Sequence, residues 1–299
     1  MHKFIRSNNN PNTHVFVCEY NWPIEEQLKG RALVIKINNL NDILNIKRHI
    51  DESTKIDAFI YKDDYASLET IDINPAWGDT PVILYINRIG QYRNVFQKIE
   101  ILKQLNVIVI FTSSEEQACK DAQILSSLGI HSGIKLTPES KLTDSILDLI
   151  TYSFYGTMPH APIEPFSTME KYYDGESYVS PWLAEFVNPT RYIHIDKNLN
   201  MAFSDQDLKQ GNILNESYPH LKSDAFSVAA ETYLNKWQEW FIDSHQCTFC
   251  PAFRVCMGYF DKKESHANNR CQIVMTELLD AIEFYKTRKQ QIQPKRCQL

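Results

Sequence analysis

Residues 14–150 alternate between two hydrophobic patterns, and this alternation limits the chain to a small set of folds. Six short runs rich in β-branched residues predict strands, and several are apolar throughout, as in parallel strands covered on both faces. The predicted strands are 14–20, 32–37, 57–61, 81–86, 106–111 and 130–136. Helical patterns separate them at 40–50, 91–105, 114–128 and 142–152. Such strand–helix–strand units predict right-handed crossovers and a parallel sheet.

The predicted fold class is therefore α/β, with two arrangements left open. An open or partial (β/α) barrel and an open doubly wound sheet both suit six strands, whereas a complete eight-unit barrel needs a longer chain. A proline-dense stretch, 158–165, then interrupts the alternation. We expect a first domain at 1–155, a connector at 156–189 and a second, small α+β domain at 190–299.

The second domain is predicted to begin with a β-hairpin of alternating faces, from Thr190 to Phe203. His194 lies in its first strand and is expected to point outward. A helix is predicted at 225–241, and a last helix at 271–285, after which the charged tail is expected to fray. His131 and His160 follow a predicted strand and the connector, and the sequence offers neither a partner.

Composition excludes several classes of function. The chain has 299 residues, is 43% hydrophobic and carries a formal net charge of -6. There is no basic excess of the kind that binds nucleic acid, and no Lys/Arg block that argues for a membrane surface. The segment Met1–Thr13 is polar and rich in asparagine, unlike a signal peptide, and no apolar run is long enough to span a bilayer. We expect a cytoplasmic protein.

Four of the seven cysteines fall between residues 247 and 271. They are spaced Cys247-x2-Cys250-x5-Cys256-x14-Cys271, and a two-residue gap lets two thiolates from one turn bind the same metal centre. Four thiolates suit either tetrahedral zinc or an iron–sulfur cluster. An odd number of cysteines without a secretion signal argues against a disulfide framework.

Spacing alone leaves zinc and iron–sulfur both open. Zinc ribbons usually pair one C-x2-C turn with another, and here the second pair is not such a turn. Cys297 is an alternative fourth ligand in place of Cys271. Cys18 and Cys119 are isolated in the sequence, and Cys119 is expected in the core.

Three landmarks in the second domain resemble the SPASM/twitch domain of radical SAM peptide-modifying enzymes. They are the hairpin Ile193–Asn200, the element Gly211-Asn212-Ile213, and the cysteines Cys247, Cys250, Cys256 and Cys271. The resemblance implies that these four cysteines hold one [4Fe–4S] cluster, with zinc as the alternative. A full SPASM domain binds a second cluster, whose cysteines are absent at Met201–Ser204 and Phe260.

The first domain departs from radical SAM enzymes at their defining motif. Those enzymes hold the catalytic cluster with C-x3-C-x2-C just after the first strand, where this chain has Cys18 followed by Glu19-Tyr20-Asn21-Trp22-Pro23. The chain thus resembles a pseudo-radical-SAM protein with no residues for binding SAM. Such proteins are associated with bacterial pathways that make ribosomally synthesised, post-translationally modified peptides (RiPPs).

The resemblance implies a catalytically silent accessory subunit. Its expected partners are a precursor peptide and a radical SAM or ATP-grasp maturase. Two alternatives remain: a peptide-modifying enzyme that does not use SAM radical chemistry, and a zinc-stapled interaction protein. No catalytic residue can be assigned from the sequence.

Overall fold

The computed structural model gives an α/β architecture around one nine-stranded sheet. It describes residues 15–20, 27–137, 140–173, 192–214, 238–239, 242–243, 245–252, 256 and 270–292. The strands are β1 Val15–Glu19, β2 Ala32–Ile37, β3 Lys55–Ser67, β4 Val82–Arg88, β5 Val107–Phe111, β6 Ser132–Ile134, β7 Ile163–Glu164, β8 Tyr192–Ile195 and β9 Met201–Ala202. The helices are α1 Asp42–His49, α2 Tyr92–Phe96, α3 Ile99–Gln104, α4 Glu116–Ser127, α5 Asp144–Tyr155, α6 Phe166–Tyr173, α7 Asp205–Gln210 and α8 Arg270–Ile292.

The strand order across the sheet is β7-β6-β5-β4-β3-β2-β1-β8-β9. Every neighbouring pair is parallel except β8 and β9. From β1 to β7 the order follows the chain without reversal, and β8 then pairs on the other side of β1. The prediction of a parallel α/β sheet is confirmed, and five of the six predicted strands coincide with observed ones to within a few residues.

The hairpin predicted at the start of the second domain continues the sheet of the first. Its first strand, β8, pairs in parallel with β1, so that Val15 lies opposite Tyr192 and Cys18 opposite Ile195. Its second strand, β9, returns antiparallel to β8. The chain therefore leaves β1 toward β2 and leaves β8 in the opposite direction, toward β9.

Several predicted elements differ from the structure. The helix expected at 91–105 is split into α2 and α3 on either side of Lys98, whose ammonium donates to the carbonyls of Leu68, Glu69 and Ile71 at 2.5–3.2 Å. The connector holds β7 and α6, which its irregular sequence did not indicate. The helix predicted at 225–241 lies mostly outside the described residues.

The last helix, α8, is docked along α5. Arg270 donates from Nε to the carbonyl of Leu142 at 2.8 Å and pairs with Asp144, and the rings of Phe154 and Tyr285 meet edge-on at 5.7 Å. The two helices therefore run in the same direction. This packing carries α8 on to Ile292, where the sequence suggested a frayed tail from Lys286.

Candidate functional site

Cys247 lies in the 3-10 helix Gln246–Phe249, and Cys250 follows directly after it, so both belong to one tight turn. His245 precedes the turn, and its Nδ1 accepts the backbone N–H of Cys247 at 3.2 Å. The carbonyl of Cys247 in turn accepts the N–H of Cys250 at 3.2 Å. These contacts hold both cysteines, each half-buried, in the compact arrangement that the C-x2-C spacing predicts.

Cys256 and Cys271 complete the predicted set. The Cys256 N–H donates to the carbonyl of Ala252 at 3.0 Å, and the side chain is only 5% exposed. Cys271 is half-buried and is the second residue of α8. Because the neighbouring Arg270 contacts Leu142 and Asp144 at the amino end of α5, Cys271 lies near that end of the helix.

The four cysteines fit a metal centre in kind, because four thiolates are the donors of both zinc sites and [4Fe–4S] clusters. Within the described part of the chain, no three His, Cys, Asp or Glu side chains are grouped so that they could hold a metal ion. A centre made from this set therefore requires its sulfur atoms to approach one another. Cys297, the alternative ligand, lies outside the described residues.

A cavity of about 350 Å³ opens at the carboxyl ends of β1, β2 and β8. Its lining is Val17, Cys18, Glu19, Lys36, Ile195, Asp196, Lys197, Asp205, Leu208 and Lys209. The carboxyl ends of parallel strands are where ligands bind in α/β proteins, especially where neighbouring strands connect in opposite directions. β1 and β8 are such a pair, so this cavity occupies a topological switch point.

Asp205, at the start of α7, is held in the wall of this cavity from two sides. Glu19 lies opposite Lys36 and Val17 opposite His194, so Lys36 and His194 project from the same face of the sheet. Asp205 Oδ1 lies 2.5 Å from Lys36 Nζ and 3.3 Å from His194 Nδ1. His194 is 2% exposed, so the expectation that it points outward is wrong.

These contacts control the ionisation of Asp205. Partial burial would raise its pKa, but the hydrogen bond from His194 and the charge and hydrogen bond of Lys36 outweigh burial and hold the pKa well below the ordinary range. The carboxylate stays charged at all ordinary pH values. It therefore fixes the Lys36 ammonium in the wall of the cavity.

Replacing Asp205 with asparagine is expected to lower the free energy of unfolding at pH 7 by about 1 kcal/mol, since the side chain is 48% exposed and solvent screens its ion pair. Because the pKa is lowered in the folded state, the stabilisation exists above the unfolded-state pKa of about 4 and is lost as the pH falls further. Urea unfolding at pH 7 and pH 3 measures both effects. Asp64→Asn is the matched control, because Asp64 is 53% exposed and lies 3.6 Å from Lys62; an equal loss in both variants would contradict the assignment.

A second polar cluster is buried beneath the other edge of the sheet. His131 Nε2 and Glu164 Oε1 are 3.0 Å apart, and both side chains are 3% exposed. Ser167 and Thr168 donate to the Glu164 carboxylate at 2.6 and 2.7 Å. Burial would raise the pKa of Glu164, but the hydrogen bond and charge of His131 and the two hydroxyls outweigh burial and lower it.

Close packing of β6 on β7 supports this cluster. A Cβ atom on Gly133 would lie 2.3 Å from the carbonyl oxygen of Glu164, so only glycine lets the two strands approach this closely. The His131–Glu164 pair therefore stabilises the edge of the sheet. The sequence did not predict this contact, because the two residues lie far apart along the chain.

Comparison with known proteins found no family model, no curated protein and no solved structure that matches this chain. None of the described helices is both long enough and apolar enough to cross a membrane.

Proposed function

We propose that the chain is a radical-SAM-like accessory protein that carries one [4Fe–4S] cluster and performs no SAM cleavage of its own. Its first domain would be a partial (β/α) barrel, and its second a SPASM/twitch-like domain. It would act in the bacterial cytoplasm in the maturation of a ribosomally synthesised peptide, by binding the precursor peptide, a partner maturase or both.

The observation that carries this proposal is the local structure of the cysteine set. Cys247 and Cys250 share one hydrogen-bonded turn, and Cys271 begins a helix whose packing on α5 fixes its position. Cys256 lies between Cys250 and Cys271 in the sequence, and its side chain is buried. Three of the four cysteines, Cys247, Cys250 and Cys271, thus lie in or directly beside a described helical element, an arrangement that suits metal ligands that must close one site.

The residues at the end of β1 support the proposal that the protein does not cleave SAM. Cys18 is buried within β1, paired opposite Ile35 and Ile195, and Glu19 ends the strand. No C-x3-C-x2-C spacing occurs in the sequence. A single cysteine at this place does not supply the three thiolates of a SAM-cleaving cluster.

The strand order of the parallel sheet supports the proposal that the first domain is a partial (β/α) barrel. Strands β1 to β7 are each hydrogen-bonded to the next strand along the chain, as in (β/α) barrels. The β8–β9 hairpin, which carries the resemblance to a SPASM hairpin, closes onto β1 and brings the second part of the chain to the carboxyl ends of the strands.

Metal analysis tests the proposal. Protein purified without oxygen is expected to contain about four iron and four sulfide per chain, with the absorption and EPR signals of a [4Fe–4S] cluster after reduction. Incubation with SAM and a reductant is expected to yield no cleavage product. One zinc per chain without sulfide would contradict the iron–sulfur cluster and indicate an interaction protein stabilised by zinc. Cleavage of SAM would contradict the accessory role and indicate an enzyme.

A further inference from the structure

We infer that the cavity between β1 and β8 binds a peptide segment that presents one amino and one carboxylate group. This inference deepens the proposed function, on which it rests, by naming the chemical class of peptide group that the protein recognises. It concerns the cavity of about 350 Å³ at the topological switch point and none of the four cysteines of the cluster.

The backbone provides the opening. After Glu19 the chain turns toward β2, and after Ile195 it turns toward β9, so the two connections diverge and leave a crevice outside the strand ends. The crevice exists because of strand connectivity, and ligands of α/β proteins bind at this kind of place irrespective of family. Its volume falls in the range of sites for small ligands.

The charges in the lining are balanced. Lys36, Lys197 and Lys209 supply three positive charges, and Glu19, Asp196 and Asp205 supply three negative charges. A polyanion such as a nucleoside triphosphate would bring several negative charges without compensation. The lining therefore offers groups of both signs, which suit a ligand that presents both an amino and a carboxylate group.

Three of the six charged groups are already occupied. Asp196 accepts the backbone N–H groups of Asn198 and Asn200 and the Asn200 side-chain amide, at 2.8–2.9 Å. Asp205 and Lys36 are paired with each other, 2.5 Å apart. These contacts belong to the framework of the hairpin and of α7.

The remaining three groups can bind a ligand. Within the described chain, no ion pair engages Glu19 or Lys197, and Lys209 approaches Asp205 only to 3.8 Å with 78% of its side chain exposed. One carboxylate and two ammonium groups therefore line the cavity without a close partner there. Glu19 suits an amino group, and Lys197 and Lys209 suit a carboxylate.

Triglycine is a suitable probe, because it carries one amino and one carboxylate group on a peptide backbone. Its binding is measured by saturation-transfer NMR and compared with N-acetyl-triglycine and triglycine amide. We expect each blocked form to bind about tenfold more weakly, since each loses one charge-assisted contact. Free glycine, which has the same charges without the peptide chain, is expected to bind more weakly than triglycine.

Two variants assign the contacts. Glu19→Gln is expected to abolish the preference for triglycine over its N-acetyl form while keeping the preference over the amide. The double variant Lys197→Met, Lys209→Met is expected to show the reverse. Lys103→Met, an exposed lysine on α3 beside Glu100, is the matched control and should change neither preference.

Equal binding of the three peptides, or no binding by any of them, would overturn the inference. So would saturation transfer to S-adenosylmethionine but not to triglycine, which would assign the cavity to a nucleoside ligand. The peptide ranking in the unmodified protein gives this answer even where a variant fails to fold. Iron and sulfide content is measured on the same sample. A lack of peptide binding in the cavity is therefore distinguished from the absence of the proposed [4Fe–4S] cluster.

Discussion

Replacing Glu164 with alanine is expected to lower the free energy of unfolding by about 4 kcal/mol. The substitution removes the carboxylate to which the buried His131 and Thr168 and the half-buried Ser167 are hydrogen-bonded. Removing one member of a buried, hydrogen-bonded pair typically costs 3 to 5 kcal/mol, roughly, because the remaining polar groups are neither solvated nor paired. Urea unfolding followed by circular dichroism at pH 7 measures the loss.

Two further variants distinguish the stability lost with the buried His131–Glu164 pair from the effect of removing any glutamate. Glu116→Ala removes an exposed carboxylate paired with Lys120 and should cost far less stability than Glu164→Ala, because solvent screens an exposed ion pair. The double variant His131→Leu, Glu164→Leu should cost less than Glu164→Ala, since replacing both partners leaves fewer buried groups unpaired. A loss below about 1 kcal/mol in Glu164→Ala would contradict the role assigned to the pair.

The same carboxylate makes stability depend on pH in a defined direction. The pKa of Glu164 is lowered in the folded state, so its contribution is complete above the unfolded-state pKa of about 4.3 and is lost as the pH falls below that value. The gap in stability between the unmodified protein and Glu164→Gln is therefore expected to be larger at pH 5 than at pH 3, as measured by urea unfolding. On acidification below pH 4 the gap should narrow.

The second large effect concerns the proposed cluster. Cys256→Ser is expected to reduce the iron content from about four per chain to less than one, because a serine hydroxyl is a poor substitute for a thiolate at an iron–sulfur cluster. Cys256 is chosen because it is the one fully buried member of the set, so solvent cannot easily supply a replacement ligand. Iron, sulfide and absorption spectra of anaerobically purified protein measure the effect.

Cys119→Ser is the matched control for this experiment. Cys119 is also buried, at 3% exposed, but lies on α4 away from the cysteine set. Burial, with smaller effects from Asp148 and Glu116, raises the pKa of its thiol to about 12, and the thiol donates to the carbonyl of Ser114 at 3.8 Å. Full iron content in Cys256→Ser, or an equal loss in Cys119→Ser, would contradict the assignment. Comparing Cys271→Ser with Cys297→Ser identifies the fourth ligand.

The strands were predictable because their signal is local. Runs such as Asn106–Phe111 are apolar and β-branched along their whole length, which is the pattern of a strand covered on both faces. The end of β3 was not predictable, since Lys62, Asp63 and Asp64 look like a turn. In the structure the Asp63 carboxylate accepts the N–H groups of Tyr65 and Ala66, and the pairing of β3 with β4 is interrupted between Asp63 and Ser67.

The polar clusters were not predictable because they join distant parts of the chain. The alternation of side chains along a strand places Lys36 on one face of β2, but nothing in the sequence indicates that β8 pairs with β1. Without that pairing, the sequence predicts an outward orientation for His194 and gives no partner for Asp205. The cysteine set, by contrast, is visible from spacing alone, since its members are close in sequence.

The pairing of Val15 with Tyr192 also has a consequence during synthesis. The strand β1 leaves the ribosome first, yet one of its two hydrogen-bonding neighbours does not exist until β8 has been made. Throughout that interval an apolar strand presents an open row of N–H and C=O groups, which is a template for aggregation. A chain interrupted between residues 155 and 190 would keep this edge open permanently, so its two halves are expected to depend on each other for solubility.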